Sequence, residues 1–331
     1  MKPLLSISDS FLKDLDILDW GYTDESNATT FHHFESWVSE NKHGDLNYLA
    51  DHRKDLRKDL KEVYPEFQSA LVFLFSYQKA KKWMNENGVN HIAGYALGFE
   101  GMDYHYFLKE KLQRMSALLK EQDPSLDFFY TLDTQPVLER DLAARAGLGW
   151  FGKNSMLINR KEGSYFIIGS ILLNKKLELE KKEIEIDHCG HCNLCAEKCP
   201  TLAIDPISRT LNANDCLSTF TIETFKEVSA PEGYDNSRGE IFGCDICQDV
   251  CPWNKKPLLR VEAFMRFHEN LEYLRELFLK KSIQEIYSLF EEHSKRGVKK
   301  LLHKTVFDRP GKIGWLKNLK ARMKKDQAQP K

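Results

Sequence analysis

Long hydrophobic runs are missing from this chain. Nothing approaches the roughly 18 consecutive apolar residues of a membrane helix. The longest apolar runs, such as residues 70–75, are strand-sized. A helical membrane span is excluded, and no membrane partner is expected. The opening residues MKPLLSISD turn acidic too soon for a secretory signal, so a cytoplasmic protein is expected. Cysteine is absent before residue 189 and after residue 251, which denies the bulk of the chain a disulfide framework. No internal repeat lies outside that window, and only the last few residues are of low complexity. A solenoid and a disordered tether are thereby excluded. Excess charge is missing too: the net is −1 at pH 7, so the molecule as a whole does not attract polyanions. What is present is 331 residues, 29% of them charged and 42% hydrophobic. That suffices for two or three soluble domains and a substantial core.

The eight cysteines form two runs. Cys189, Cys192, Cys195 and Cys199, followed by Pro200, follow C-x2-C-x2-C-x3-C-P, the pattern of bacterial two-cluster ferredoxins. Cys216 stands alone before Cys244, Cys247 and Cys251, the last followed by Pro252. In such paired runs the first three thiolates hold one cubane and the fourth reaches the other cluster. Cys189, Cys192, Cys195 and Cys251 are thus assigned to one [4Fe–4S] cluster. Cys199, Cys244 and Cys247 need a fourth ligand, and Cys216 is the cysteine left over. Two structural zinc sites of four thiolates would also use all eight. Zinc ligands come as separated C-x2-C pairs, however, whereas consecutive x2 spacings suit the corners of a cubane met by one tight loop. Oxidised pairs would leave the spacing unexplained. Two clusters imply one-electron chemistry, and their thiolates fit a reducing cytoplasm.

Three segments separate by composition. Residues 1–180 mix helical and strand patterns. Tyr104, Leu108, Leu112, Met115 and Leu119 recur at helical spacing, and residues 137–146 continue as a second helix. Residues 69–77 and 127–132 are short apolar runs of β-formers. Residues 155–159 and 165–173, split by a polar turn, read as a hairpin. The fold class expected here is mixed, α+β or α/β, with one sheet. Residues 181–256 form a ferredoxin-like cluster domain, entered through the charged linker 178–185. Residues 257–331 are a short helical segment, with amphipathic spacing over 264–279, 283–292 and 314–324.

Charge is distributed unevenly along this near-neutral chain. Residues 1–40 carry eight Asp/Glu against two Lys/Arg, and residues 295–331 carry thirteen Lys/Arg against two Asp. A basic tail points to a polyanion, nucleic acid before membrane, with a solvated helical face as the plain alternative.

A dicluster ferredoxin needs only about 60–80 residues, so the large first segment must supply the reaction. Its densest motif is DTQPVLER over residues 133–140, followed by GLGWFGKNS over 147–155. Asp133 ends a predicted strand, Pro136 sits near the first turn of a helix, and that helix ends in a glycine-rich loop where backbone can approach a ligand. A carboxylate there is placed to act as a general acid in a pocket. The alternative is that Asp133 caps the helix, with Glu139 and Arg140 pairing on its surface.

These strings, the cysteine runs and IFGCDICQDVCPWN over 241–254 resemble the epoxyqueuosine reductase family. The likeness extends to GDLNYL at 44–49, DYH at 103–105, TFTIE at 219–223 and GWLKN at 314–318, and so covers nearly the whole chain. The resemblance implies an N-terminal cobalamin-binding domain of the kind shared with reductive dehalogenases. It implies removal of the epoxide oxygen of epoxyqueuosine in tRNA, using cobalamin and two [4Fe–4S] clusters. Asp133 matches the family's proposed proton donor. Arg57, Asn154, Ser155 and Leu157 fall in segments that line the corrinoid. There is no D-x-H-x-x-G corrinoid motif, consistent with a base-off cofactor without a histidine ligand. An acid here works near neutral pH only where burial against the corrinoid raises its pKa. The implied partners are a tRNA with a GUN-type anticodon carrying epoxyqueuosine and an unidentified electron donor; a monomer is expected.

With tRNA implied, Arg309, Lys312, Lys317, Lys320 and Arg322 become candidate phosphate contacts, positioning the anticodon stem rather than reading it. The modified base would be splayed from its loop to reach the cofactor. His188 and His191 flank cluster ligands and are read as supporting or surface residues. His105 is read as packing near the cofactor, and Trp150 and Trp253 as core aromatics. Two departures from the family pattern stand out. FEGM at 99–102 lengthens the spacing between YALG at 95–98 and Asp103, and Gly94 stands where a basic residue is often found. Two other functions share some of these features. A corrinoid dehalogenase normally carries an export signal and has no use for a basic tail, and a dicluster electron carrier would not bind cobalamin.

Overall fold

The computed structural model describes residues 7–265 and 268–328. Its central sheet contains β1 (Ile17–Thr23), β2 (Ser69–Ser76), β3 (Phe128–Thr131) and β4 (Phe166–Leu173). β2 reads SALVFLFS, and all but its last residue are buried. A strand apolar on both faces needs a partner at each edge and a layer on each side. It has both. The strand order is β1–β2–β4–β3, and every pairing is antiparallel. Alternate residues of β2 face opposite ways. Leu71, Phe73 and Phe75 meet Leu108, Leu112 and Met115 of the helix Tyr104–Gln122 in one core. Val72 and Leu74 meet Leu142 and Ala143 of the helix Glu139–Arg145 in the other.

The mixed helix-and-sheet class is as expected, but two details differ. Residues 155–159 and 165–173 do not form a hairpin; a single bridge, Asn159 to Gly163, joins their ends. Leu157–Ile158 pairs instead with Trp150–Phe151. The eight-residue β4, apolar on both faces, is taken into the middle of the main sheet, between β2 and β3. β1 was not legible, because its sequence ILDWGYT interrupts the apolar pattern with Asp19 and Gly21. Gly21 is required there: a Cβ would lie 2.1 Å from the carbonyl oxygen of Ala146.

In the cysteine-bearing region, the one-turn helices Leu194–Glu197 and Ile246–Asp249 pack against each other. The helix Leu217–Ile222 follows Cys216. The C-terminal helices Ile283–Glu292, Lys295–Leu301 and Gly311–Ala328 then fold back. The helix expected over 264–279 starts at Glu269 and continues as a π turn, Glu276–Lys280; residues 266 and 267 lie outside the described ones.

Five aromatic side chains bind this end together. Phe278 lies 4.5 Å from Phe307 and 4.9 Å from Trp315, ring centre to ring centre, and Phe242 lies 4.6 Å from Phe307. Phe290 packs edge-on to Trp315. Trp315 is fully buried, and its indole N–H donates to the Phe307 carbonyl at 2.7 Å. This knot belongs to the same core as one face of the sheet, so the three compositional segments share one hydrophobic interior. Trp315→Ala should cost about 3–5 kcal/mol of folding stability, read from the denaturation midpoint. A loss below about 1 kcal/mol would show that the knot relaxes to fill the space.

Candidate active site

β3 ends at Thr131, and the chain turns sharply at Asp133, whose φ of +62° is unusual for a residue with a Cβ. Three contacts hold the turn. The Leu132 N–H donates to Gln135 Oε1 at 2.9 Å, the Asp133 N–H to Glu139 Oε1 at 2.7 Å, and the Tyr104 hydroxyl to Asp133 Oδ2 at 2.6 Å. Asp133 does not cap the following helix. The cap position is Leu138, which makes no side-chain capping bond. Nor do Glu139 and Arg140 pair on a surface: Arg140 donates to the Ser155 carbonyl and Glu139 receives the Asp133 amide.

Glu139 is half-buried, Arg140 is exposed, and the Asp133 side chain is 64% exposed. With Tyr104 and His105 they cluster around the Asp133 turn. Burial, and then the Asp133 charge, push Glu139 up to about 8. Burial and Asp133 also raise Tyr104 and Tyr95 well above the usual tyrosine range. His105 bonds Asp103 through Nδ1 at 2.6 Å, and its Nε2 is buried without a hydrogen-bond partner, 3.9 Å from Asp133 Oδ2. Tyr48 belongs to the same neighbourhood, pushed up to about 12 by burial and then by Glu223 and Asp133. Arg53 lies over its ring at 5.9 Å. Arg309 grips Glu223 with both ends of its guanidinium, at 2.7 and 3.1 Å, and lies over Phe225 at 5.4 Å. Tyr48, Tyr104 and Glu223 were not picked out as site residues from sequence, and Glu139 and Arg140 were read only as a surface pair. All five sit inside the quoted motifs, which was the available signal.

The other corrinoid candidates contribute less free chemistry. Arg57 is buried, donates to the Arg53 carbonyl at 2.7 Å and lies 5.6 Å from the Phe34 ring centre. Asn154 is buried, with Nδ2 3.4 Å from the Cys247 carbonyl. Ser155, at φ +64°, donates to the Arg209 carbonyl at 2.6 Å. The Leu157 side chain is packed inside the second core, so a ligand can meet only its backbone. The glycine-rich loop serves the fold rather than a ligand at Gly149, where a Cβ would lie 2.2 Å from the Ile158 carbonyl oxygen.

The thiols lie near one another in the fold. Burial and then Cys189, Cys195 and Cys192 push the Cys251 thiol up to about 11, so Cys251 sits among the first run. Cys216 is raised by burial and neighbours Cys199; Cys244 and Cys247 are raised by burial and both neighbour Cys216. Cys195 and Cys247 also act on one another, so the two runs adjoin. None of the eight is disulfide-bonded, and Cys192 alone among them is exposed. Among the described residues, no three His, Cys, Asp or Glu side chains converge as one metal ion requires. His188 bonds Glu185 at 2.9 Å and packs edge-on to Trp150, while His191 is exposed. Trp150 is buried 5.0 Å from Trp253.

The basic tail is largely spoken for. Lys312 donates to the Glu291 and His293 carbonyls, Lys320 pairs with Glu227 at 2.7 Å, and Arg322 holds Asp326 and the Gly239 carbonyl. Lys317 corrects the sequence reading. It is 4% exposed, its ammonium 3.5 Å from the Phe220 ring centre and donating to the Phe220 carbonyl, so phosphate cannot reach it. Burial lowers it to about 7, against an ordinary value of 10.5. Its unfolded form therefore binds the extra proton between those values, and stability should rise with pH across that window. Lys317→Met should remove the rise, which denaturation midpoints at neutral and alkaline pH would measure. An identical pH slope in both proteins would place a solvated ammonium there.

Eight neighbouring thiols, none in a disulfide, and an exposed carboxyl set among acidic and tyrosine side chains suit an iron–sulfur oxidoreductase. Residues 188–254 match the family model of the 4Fe-4S double cluster binding domain, and residues 57–134 match that of epoxyqueuosine reductase QueG, DUF1730. The chain is 32% identical over 285 residues to the epoxyqueuosine reductase of Cyclobacterium marinum, covering 86% of this chain and 85% of that one. It is 31% identical over 305 residues to the Escherichia coli enzyme of that name, covering 90% and 75%. It belongs to the epoxyqueuosine reductase family. The Streptococcus thermophilus epoxyqueuosine reductase shares its fold, with a TM-score of 0.72 at 21% identity over 96% of this chain and 80% of that one. So does an epoxyqueuosine reductase solved with an epoxyqueuosine-modified tRNA-Tyr stem loop (TM-score 0.68, 22% identity, 95% and 79% covered).

Proposed function

We propose that this protein reduces epoxyqueuosine to queuosine in the anticodon loop of tRNAs with GUN-type anticodons, the last step in making queuosine. The observation that carries this reading is the exposed Asp133 carboxyl on a turn held by Tyr104 and Glu139, in a domain tied to the thiol region through Asn154 and the Cys247 carbonyl. The Escherichia coli relative bears the name of this activity, and a protein of the same fold was solved holding the modified stem loop. A Bacillus subtilis relative has been solved with the loop of its catalytic aspartate swung out of the active site. Asp133 likewise lies on a turn between a strand and a helix.

Turning the epoxide into an alkene takes two electrons and two protons, and the oxygen leaves as water. Cys189, Cys192, Cys195 and Cys251 hold one [4Fe–4S] cluster, and Cys199, Cys216, Cys244 and Cys247 the other. Electrons enter singly on the side of exposed Cys192 and pass to the inner set, whose thiols burial raises. Cobalamin is the cofactor this site would take, and the unpartnered His105 Nε2, 3.9 Å from Asp133 Oδ2, is a polar atom that such a ligand would cover. Asp133, Asn154, Ser155, Arg57 and the Leu157 backbone would hold it, and when bound it supplies the strongly reducing chemistry that epoxide opening demands. Asp133 delivers a proton to the departing oxygen, with Tyr104 aiming the carboxyl.

Arg309 and Lys320, both exposed, contact tRNA phosphates, and Lys317 has no part in binding. Arg309→Glu should weaken stem-loop affinity and lower the salt slope by about 1, whereas Lys317→Met should leave both unchanged. Equal affinity for Arg309→Glu at low salt would return the tail to a solvated face. The activity itself is tested in anaerobic single turnover, with clusters and cobalamin loaded and a strong chemical reductant supplied. Epoxyqueuosine in a stem loop should become queuosine. Loaded protein that binds the stem loop but leaves the epoxide intact would contradict the proposal.

A further inference from the structure

Lys81 lies on the helix Gln78–Glu86 beside the sheet, yet its ammonium reaches the loop that carries three cysteines. Its side chain is 1% exposed, and Nζ lies 2.8 Å from Asp245 Oδ2 and 2.8 Å from Asp249 Oδ1. Asp245 follows Cys244, and Asp249 stands between Cys247 and Cys251. The Gly94 N–H donates to Asp245 Oδ2 at 2.7 Å, Tyr165 donates its hydroxyl to Asp249, and Arg238 closes the other side of Asp249. Two cations and two carboxylates thus balance, with Lys81 and Asp245 enclosed and Arg238 partly exposed. Gly94 makes room for this arrangement, since a Cβ there would lie 2.8 Å from Lys81 Cδ.

We infer that Lys81 is a positioning residue for the cluster held by Cys244 and Cys247, and that its charge raises that cluster's reduction potential. The inference rests on the ligand assignment under Proposed function. Adding an electron to a cluster adds negative charge, and net charge, burial and hydrogen bonding near the thiolates set how readily that happens. Asp245 is an electrostatic neighbour of Cys247. Without Lys81, the quartet carries one uncompensated carboxylate where screening is weak. The inner cluster becomes harder to reduce, and the loop loses its tie to the sheet domain. A purely structural ion pair would tie the loop but leave the potential alone once the fold is intact.

The test is a redox titration of cluster-loaded protein followed by electron paramagnetic resonance. Lys81→Met should hold its full iron, with one potential moved to a more negative value and the other unmoved. Asp245→Asn should move the same potential in the positive direction, and the double variant should bring it back toward the unsubstituted protein. Full iron with both potentials unmoved in Lys81→Met would overturn the inference. If Lys81→Met does not retain iron, Asp245→Asn decides: a positive shift supports the inference and an unmoved potential overturns it. Low iron in the unsubstituted protein would instead count against the ligand assignment, which keeps the two failures apart.

Discussion

Asp133→Asn is expected to convert epoxyqueuosine about 10²–10⁴-fold more slowly than the unsubstituted protein, the usual loss on removing a positioned general acid. The substitution keeps the shape of the side chain, and an amide oxygen still accepts from the Tyr104 hydroxyl. The backbone turn is held independently, by the Leu132 and Asp133 amides on Gln135 and Glu139. The variant should therefore fold, load both clusters and cobalamin, and bind the stem loop. The rates must be compared in single turnover with a strong reductant, so that electron delivery does not mask the chemical step. Turnover near that of the unsubstituted protein would give the proton to water or to another group. Glu139, raised to about 8 directly behind the turn, would be the first residue to examine.

Cys251→Ala should remove the cluster served by the first run although it lies in the second. Loaded protein should carry about eight iron and eight sulfide, two cubanes' worth, and the variant about half. The surviving spectrum should be that of the inner cluster. Cys216→Ala should do the opposite, sparing the cluster on the exposed side. The proposed pairing of Cys251 with Cys189, Cys192 and Cys195, and of Cys216 with Cys199, Cys244 and Cys247, rests on the thiols that stand near each in the fold. If Cys251→Ala and Cys216→Ala lost the same cluster, the crossed ligation would be wrong. Stoichiometric zinc without iron would replace both clusters with structural ions.

The cysteine spacing was the most legible feature, because cluster ligation fixes residue type and interval together. The helices Tyr104–Gln122 and Ile283–Glu292 were legible for a related reason: a packed face imposes its period on the sequence. β1 was hidden by Asp19 and Gly21, and the pairing of Phe166–Leu173 was misread because an apolar run does not say which strand lies beside it. The Asp133 cluster was only half legible. Asp133 stood out in its motif, but Glu139 and Arg140 looked like a surface pair until the fold showed each bonded to another partner. Charge alone could not separate exposed Arg309 from Lys317, whose stem and ammonium are enclosed by the helix after Cys216. Gly94, odd by comparison with the family pattern, follows from Lys81: no local pattern links positions 81, 94 and 245, which meet only in the folded chain.

The most direct test of the whole account is the nucleoside content of tRNA from a strain lacking this gene. Tyrosine-type and other GUN-anticodon tRNAs should accumulate epoxyqueuosine and lose queuosine. Returning the unsubstituted gene should reverse both changes, and returning the Asp133→Asn form should not. Normal queuosine in the deletion strain, with no second enzyme able to supply it, would contradict the account.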